Sequence, residues 1–147
     1  MQLTAYTDLG LRIVMRLAVL DDESSATTRG LAEELHVSAA HAAKVVTRLA
    51  ALGVVEARRG RGGGVRLTSA ADLISVGAVA RALEGDGEVV DCDGAVPCPL
   101  RGGCRLRGAL ARAREAFFEV LDPLTIQDLA APPTRSLLLT LGSGPPR

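Results

Sequence analysis

Residues 38–68 read SAAHAAKVVTRLAALGVVEARRGRGGGVRLT, and this stretch decides the fold of the chain. Ser38 is a favourable helix N-cap and Gly53 is favourable just beyond a helix end, so the sequence predicts one helix between them. Apolar residues at helical spacing form one face of this helix, and polar residues repeat on another. After it, GVVEA and GVRLT predict two short strands around the loop RRGRGG.

The segments upstream extend this pattern. TTRGLAEELHV predicts a short helix that begins at Thr27 or Thr28, and TDLGLRIVMRLAVL predicts a longer helix at about residues 7–20. Two short helices at a tight turn, the second followed by a hairpin with an Arg-Gly tip, are typical of a winged helix-turn-helix. The predicted fold class is therefore mainly α with a small β-hairpin wing.

Composition excludes several classes of protein. Of 147 residues, 48% are hydrophobic but only 2% are aromatic, so Leu, Val and Ala must form the core, which favours helices over a β-sandwich. No apolar run approaches the ~20 residues that cross a bilayer, and the N-terminus lacks a signal-peptide pattern. We therefore expect a soluble, cytoplasmic protein with no membrane partner. Nothing indicates an enzyme, since RRGRGGG lacks the Lys-Ser/Thr of a nucleotide loop and no nucleophile–base pair is evident.

The distribution of charge points to nucleic acid, although the net charge of the chain is zero. Residues 38–68 hold six basic residues and one acidic residue, a net charge of +5, whereas residues 84–93 hold five acidic residues and no basic one. The predicted second helix of the helix-turn-helix fits a B-DNA major groove, and a glycine-rich tip lets backbone approach a narrow groove. The alternative is a solvated helix face and an ordinary glycine-rich turn. The candidate DNA-contacting residues are Thr28, Ser38, His41, Lys44, Thr47, Arg58, Arg59, Arg61, Gly62 and Gly63.

All three cysteines lie in residues 92–104, CDGAVPCPLRGGC, each six residues after the last. Six residues rotate an α-helix by about 600°, so Cys92, Cys98 and Cys104 cannot share one helical face, but a loop rich in Gly and Pro can bring them together. Three thiolates in a reducing compartment indicate a metal centre. Structural zinc uses closer pairs and four ligands, whereas iron–sulfur clusters accept wider spacings and a non-Cys ligand. The alternative is three small residues with no ligand role.

A long helix is predicted from Arg105 to Asp122, where Pro123 ends or bends it. Its apolar residues alternate spacings of four and three, as in the seam of a coiled coil. This regular seam favours pairing with a second copy of the chain, and the alternative is packing on its own domain. A two-fold dimer would read a palindromic DNA site. The seam residues are Leu106, Leu110, Ala113, Phe117, Val120 and Leu124.

Together these features resemble the NsrR/IscR family of iron–sulfur regulators, also called the Rrf-two family. The resemblance runs from the opening MQLTAYTDLGLR, through the wing RRGRGGG, a helix ending in ALEG and C-x₅-C-x₅-C, to about Leu129. It implies a homodimeric transcriptional repressor that senses nitric oxide through one [4Fe-4S] cluster per subunit. Nitrosylation would release it from palindromic operators of nitric oxide detoxification genes. The alternative is a sibling regulator that senses iron, redox state or cluster supply.

The resemblance also bears on the fourth cluster ligand. The IscR branch has a His three residues after its third cysteine, where this chain has Arg107, which cannot ligate. In NsrR-like members a carboxylate near the N-terminus of the partner subunit completes the cluster, and Asp8 matches that position. From the residues alone, the helix macrodipole is the preferred explanation of an acid at this position, in the first turn of a helix.

Two further charged residues suggest a network around Asp8. Arg12 lies four residues after Asp8 on the same helix face, where it could orient the carboxylate. Glu84 lies at a helix C-terminus, where the dipole disfavours a negative charge, so it needs a partner. We expect a Glu84–Arg12–Asp8 network that links the cluster to the DNA-binding unit.

The predicted organisation has four parts. Residues 1–70 form the winged helix-turn-helix DNA-binding domain, and residues 71–104 form a linking helix and the cluster loop. Residues 105–130 form the dimerisation helix and residues 131–147 a C-terminal tail whose last residues are expected to be disordered.

Overall fold

The structure of the chain, a computed structural model, describes residues 1–21, 24–58, 60 and 63–141. It confirms a mainly helical fold with one antiparallel hairpin. A short 3-10 helix, Ala71–Leu73, precedes the fourth α-helix. The elements, in chain order, are α1 (Ala5–Leu17), α2 (Thr28–Glu34), α3 (Ala39–Ala51), β1 (Val55–Arg58), β2 (Gly64–Leu67), α4 (Val76–Glu84), α5 (Arg105–Leu121), α6 (Ile126–Leu129) and α7 (Thr134–Leu141).

Hydroxyl side chains begin the first four α-helices. Each accepts a hydrogen bond from the backbone N–H three residues later, which satisfies one of the free N–H groups of a helix start. Thr27, not Thr28, is the cap of α2. Gly53 and Gly85 follow α3 and α4 with φ of 72° and 68°, values that favour glycine. The capping residues are Thr4, Thr27, Ser38 and Ser75.

Helix α1 lies at the centre of the core. Ile13 and Val14 on α1 are fully buried, as are Leu31 of α2 and Leu49 of α3. Helices α3, α4 and α6 all pack against α1. Helix α1 therefore joins the helix-turn-helix to the elements that follow the wing. The core between them is mostly aliphatic, so it is stabilised by burial of apolar surface.

The wing is a two-stranded hairpin that is also joined to the segment before α2. Val55 pairs with Leu67, and Glu56 pairs with Arg66. Ala26 and Val65 exchange both backbone hydrogen bonds, at 3.1 and 2.7 Å. A Cβ at Gly64 would lie 2.7 Å from the Cβ of Ser25, so packing against this segment accounts for that glycine.

Helix α5 begins and ends as predicted, with Asp122 as its C-cap, and packs against α4. Phe118 is its only fully enclosed side chain, and the guanidinium carbons of Arg81 and Arg114 lie 4.8 and 4.9 Å from the ring centroid. The predicted seam is only partly enclosed by this chain: Leu106 and Val120 are 62% and 70% exposed, whereas Leu110, Phe117 and Leu124 are half-buried.

After α5 the chain returns to α1. Ile126 of α6 is fully buried in the main core, and Leu138 of α7 packs with Val19 and Ala130. Part of the predicted tail is therefore helical and attached to α1, and residues 142–147 lie outside the described part of the chain. Within the described residues, no helix is both long enough and apolar enough to cross a membrane.

Candidate nucleic-acid interface and cysteine loop

The polar face of α3 is exposed and is anchored at its first turn. The Ser38 hydroxyl accepts from the His41 N–H at 3.2 Å, and the Thr47 hydroxyl donates to the Ala43 carbonyl at 2.8 Å. The side chain of Lys44 is exposed. These residues form one face that a major groove can accept. Thr28, at the first position of α2, is only half-buried.

Tyr6 of α1 supports this face from behind. Its hydroxyl donates to the Lys44 carbonyl at 3.1 Å, and its ring stacks on the ring of His41 with the centroids 6.2 Å apart. The His41 ring is thus held by an aromatic neighbour on another helix, which limits its rotamers. Sequence spacing placed His41 on the polar face but gave no sign of Tyr6.

Arg48 departs from the pattern of the predicted face. It follows His41 and Lys44 at helical spacing, yet its Nη2 donates to the Ala82 carbonyl of α4 at 3.1 Å. A helix C-terminus has free carbonyls and favours a nearby cation. Arg48 therefore caps α4 in this chain.

The wing residues are described only in part. Arg58, at the end of β1, is exposed and lies 3.4 Å from Glu56, whose pKa is lowered mainly by its hydrogen bond from Arg66. The Gly63 N–H donates to the Gly60 carbonyl at 2.9 Å, and Gly60 has a φ of 100°. Three candidate DNA-contacting residues lie outside the described part of the chain: Arg59, Arg61 and Gly62.

The cysteine loop connects α4 to α5 and turns back on itself. The Cys98 N–H donates to the Cys92 carbonyl at 3.0 Å, and the Arg101 N–H donates to the Cys98 carbonyl at 3.2 Å. All three cysteines are free thiols; Cys92 is buried, and the other two are half-buried. Cys104 is the N-cap residue of α5 and its side chain makes no cap hydrogen bond, so its thiol remains available at a helix N-terminus.

The pKa of the buried Cys92 thiol is raised by its surroundings. Burial raises the pKa of the Cys92 thiol; the positive charge of Arg107 opposes this, whereas Cys98, Glu88 and Cys104 raise the pKa further. Arg107 is thus the neighbouring positive charge that opposes the raised pKa of Cys92.

Arg107 itself is fully occupied by the acidic segment. Its Nη2 donates to Glu88 Oε1 at 2.5 Å and to Asp93 Oδ2 at 2.9 Å, and its Nε donates to Glu88 Oε2 at 2.8 Å. These hydrogen bonds lower the pKa of Glu88 and raise the pKa of Arg107. Two of the five acids in residues 84–93 thus hold Arg107 beside the loop.

The loop offers three free thiols but, in the part of the chain that the structure describes, no preformed site for a single metal ion. Within the described residues, no group of three or more His, Cys, Asp or Glu is arranged to hold one metal ion, which disfavours a structural zinc site. An iron–sulfur cluster distributes its thiolate ligands over several iron atoms, so the ligands stand farther apart.

Asp8 and Arg12 pair as their spacing suggested. Arg12 Nη2 lies 2.7 Å from Asp8 Oδ2, and its Nε donates to Oδ1 at 3.1 Å. Both side chains are about half exposed, at 57% for Arg12 and 49% for Asp8. The carboxylate is thus oriented by a bidentate contact and remains accessible. Its role as a ligand stays a prediction.

Glu84 has a different partner from the one expected. Its Oε1 accepts from the Thr4 N–H at 2.8 Å and from the Thr4 hydroxyl at 2.9 Å, and among the described ion pairs none joins it to Arg12. Burial works against ionisation of this carboxyl, but hydrogen bonds from Thr7 and Thr4 outweigh it, so its pKa is lowered. The carboxylate lies at the N-terminus of α1, where the helix dipole favours it. Sequence reasoning considered only charged partners and so missed Thr4.

The chain matches known proteins along most of its length. The sequence profile of the Rrf2 family, described as "Iron-dependent Transcriptional regulator", matches residues 3–132. The chain is 58% identical over 146 residues to the HTH-type transcriptional repressor NsrR of Streptomyces coelicolor, with 99% of both chains covered. It is 42% identical to the HTH-type transcriptional regulator NsrR of Geobacillus kaustophilus, with 88% of this chain and 89% of the relative covered.

A solved structure agrees with these matches. CymR, the global cysteine regulator of B. subtilis, superposes with a TM-score of 0.68 at 30% identity, covering 88% of this chain and 96% of the other. These relatives are transcriptional regulators and not enzymes, as the sequence predicted. The family resemblance inferred from the residues is confirmed.

Proposed function

The chain belongs to the Rrf2 family of transcriptional regulators, and on this premise we propose that it is a homodimeric DNA-binding repressor that senses nitric oxide through one [4Fe-4S] cluster per subunit. The observation that supports the proposal most is the position of the three cysteines. They lie on one loop between α4, which packs on α1 of the DNA-binding unit, and α5, whose apolar seam is partly exposed. A change in this loop therefore has a direct route both to the DNA-binding unit and to the seam.

DNA binding is supported by the exposed face of α3. Ser38 and Tyr6 fix the first two turns of the helix, so Lys44 and Thr47 project from a rigid support. A rigid recognition helix loses little conformational freedom on entering a major groove. Phosphate contacts would come from the wing, where Arg58 is exposed.

Pairing with a second copy is supported by the partly exposed seam of α5. Leu106 and Val120 lie on the side of α5 that this chain leaves uncovered, although Phe118 on another side is fully enclosed. Leu110 and Phe117 lie between them and are half-buried, so the seam residues repeat along one side of the helix as in a coiled coil. A two-fold dimer through α5 would place two copies of α3 on one palindromic operator.

The proposed cluster ligands are Cys92, Cys98 and Cys104 of one subunit and the partner subunit's Asp8. Arg107 is engaged by Glu88 and Asp93 in the place where the IscR branch has its histidine, so the fourth ligand must come from elsewhere. When bound, the cluster would offer nitric oxide an iron held by carboxylate, a weaker iron ligand than thiolate. Arg12 would orient the carboxylate by the two hydrogen bonds it makes now.

Release of the loop would lower DNA affinity through the elements that the loop joins. If it moves, the end of α4 and the start of α5 move with it, and the two copies of α3 lose their spacing. A coupling of roughly 3 kcal/mol between loop and DNA site would lower operator affinity over a hundredfold.

The second candidate is a regulator of the same fold that senses iron or cluster supply. The family description, which reads "Iron-dependent", favours it. The same thiols would serve, and only the effector differs. Response to iron depletion alone therefore separates the two candidates.

Anaerobic purification, a visible spectrum and nitric oxide titration with a gel-shift readout test the proposal. We expect a cluster absorption band, specific DNA binding, and loss of both at stoichiometric nitric oxide. DNA release on iron chelation without nitric oxide would favour the iron sensor.

Ligand variants complete the test. Cys98→Ala should lose the absorption band and operator binding together, and Asp8→Ala should bind a less stable cluster. Arg135→Met, an exposed change on α7, serves as the control that should leave both properties intact. A fully retained cluster in Cys98→Ala would contradict the ligand assignment.

A further inference from the structure

The last turn of α4 is joined to three other helices. The Ala82 carbonyl accepts from Arg48 of α3, the Gly85 carbonyl accepts from Arg114 of α5, and the Glu84 carboxylate accepts from Thr4 at the start of α1. We call this segment, residues 82–85, the α4 end. Because a helix C-terminus has free carbonyls, the position of these carbonyls depends on the groups that bind them.

Close packing reinforces the junction. A Cβ at Gly10 of α1 would overlap Leu83 of the α4 end and would lie 3.6 Å from Val45 of α3. The three helices therefore meet at the one residue of α1 that has no side chain. Because the helices are closely packed at this point, a shift of the α4 end displaces the side chains of α1 and α3 that contact it.

The α4 end is also the start of the acidic segment that holds the cysteine loop. Cys92 is seven residues beyond Gly85, and Glu88, between them, is held by Arg107 beside the thiols. Residues 82–85 are therefore one direct connection between the loop and the DNA-binding unit. Arg48 is the side chain of α3 that contacts this segment by a hydrogen bond.

From these contacts we propose that Arg48 is a positioning residue that transmits the state of the cysteine loop to the recognition helix. The inference rests on the proposed function, and it assigns Arg48 to the coupling and not to the DNA surface. With the loop ordered, Arg48 donates its hydrogen bond to the Ala82 carbonyl and holds the C-terminal half of α3 against α4. With the loop released, the α4 end relaxes and α3 loses this support, while Tyr6 still holds the Lys44 carbonyl at the other half.

The proposal makes a prediction that separates it from a phosphate contact. A phosphate contact by Arg48 would strengthen DNA binding of the cluster-loaded and cluster-free protein equally, and its loss would lower the salt slope by about one. A positioning role affects the loaded form selectively, because the proposal has the loop ordered in that form alone. The ratio of the two affinities is therefore the informative quantity.

The experiment uses the full chain and a duplex selected from random sequence by the loaded wild-type protein. Affinity is measured for loaded and cluster-free protein at two salt concentrations, for wild type, Arg48→Met, Arg48→Lys and Lys44→Met. Met keeps the aliphatic stem of Arg48 and removes the donor. Lys44→Met removes the same charge from the same helix, at the face expected to touch DNA.

We expect Arg48→Met to reduce the loaded-to-free affinity ratio by about fivefold, with the salt slope and the cluster absorption unchanged. Arg48→Lys keeps a donor and a cation near the carbonyl and should restore most of the ratio. Lys44→Met should weaken both forms alike and lower the slope by about one. Amide hydrogen exchange at Gly85 gives a second readout. Without the cluster, Arg48→Met and wild type should exchange at the same rate; with the cluster, Arg48→Met should exchange faster than wild type.

Three results would overturn the inference. An unchanged ratio in Arg48→Met would remove the coupling role, and equal weakening of both forms with a smaller slope would make Arg48 a phosphate contact. If the wild-type protein itself bound DNA equally with and without its cluster, the proposed function would fail first, and the coupling with it. Thermal unfolding of each variant identifies any loss of fold. If Arg48→Met does not fold, the loaded-to-free affinity ratio and the salt slope of Arg48→Lys take its place in the comparison with wild type.

Discussion

Replacing Glu84 by Gln should destabilise the folded chain at neutral pH and leave it nearly unaffected in acid. The carboxylate accepts two hydrogen bonds from Thr4, at 2.8 and 2.9 Å. Hydrogen bonds to charged groups contribute about 1.5–3 kcal/mol when buried, and the solvent exposure of this pair reduces the total to about 1 kcal/mol. The dipole of α1 favours the charge and that of α4 disfavours it by a similar amount, so these two effects cancel.

The pH dependence follows from the lowered pKa of Glu84. Its ordinary value is 4.5, and the folded protein holds it below that. A depressed carboxyl pKa contributes stability that is fully present above the unfolded pKa and is lost as pH falls through the folded pKa. The difference in free energy of unfolding between wild type and Glu84→Gln should therefore be fully present at pH 7. It should disappear in acid, as the pH falls below the pKa of Glu84 in the unfolded chain and then through its pKa in the folded protein.

Thermal unfolding of the cluster-free chain, followed by circular dichroism at fixed protein concentration, measures this difference. For a chain of this length, about 1 kcal/mol corresponds to a Tm difference of roughly 2–4 °C. Double-mutant cycles identify the partner, since coupling of Glu84 to Thr4 should be measurable and coupling to Arg12 close to zero. A difference that persists undiminished in acid, or a larger coupling to Arg12, would refute the assignment.

Three further predictions concern the packing of the fold. Gly77→Ala should lower the free energy of unfolding by about 2 kcal/mol, because the new Cβ would lie 2.6–2.8 Å from backbone atoms of Asp122, the α5 C-cap. The control is Gly108→Ala, at an exposed position of α5, which should be neutral or stabilising when unfolding is followed by urea titration. Glu34→Gln should lower the free energy of unfolding by about 3 kcal/mol, because it leaves the buried guanidinium of Arg16 without its ion pair at 2.7 Å. Full stability of the variant would show that water replaces the carboxylate. Leu106→Asp should give a folded monomer in sedimentation experiments, because this side chain is 62% exposed in one chain; an unchanged dimer would exclude α5 as the interface.

Local pattern predicted the elements of the fold well. Ser38 and Gly53 bound α3 as expected, and Gly85 ends α4, because capping and left-handed backbone depend on one or two adjacent residues. The hairpin followed from the order of apolar and glycine-rich segments. Helix α7 was missed, because its only buried residue, Leu138, packs on α1, which is distant in sequence.

The candidate site was predicted in its residue types but not in its contacts. Spacing on one helix was enough to pair Asp8 with Arg12, since residues four apart on a helix are neighbours. It could not show that Glu84 binds Thr4 or that Arg107 holds the acidic segment, because those partners come from different helices.

The sequence by itself determined helices α1 to α5 and the two strands, where most of them begin and end, and that three thiols share one loop. These properties depend on backbone preferences and on neighbours within a few residues. Only the tertiary structure decided that Arg48 turns from the polar face of α3 toward α4, and that α1 packs against both α3 and α4. The direction of a long side chain depends on which free carbonyl lies within its reach, and that is set when distant helices pack.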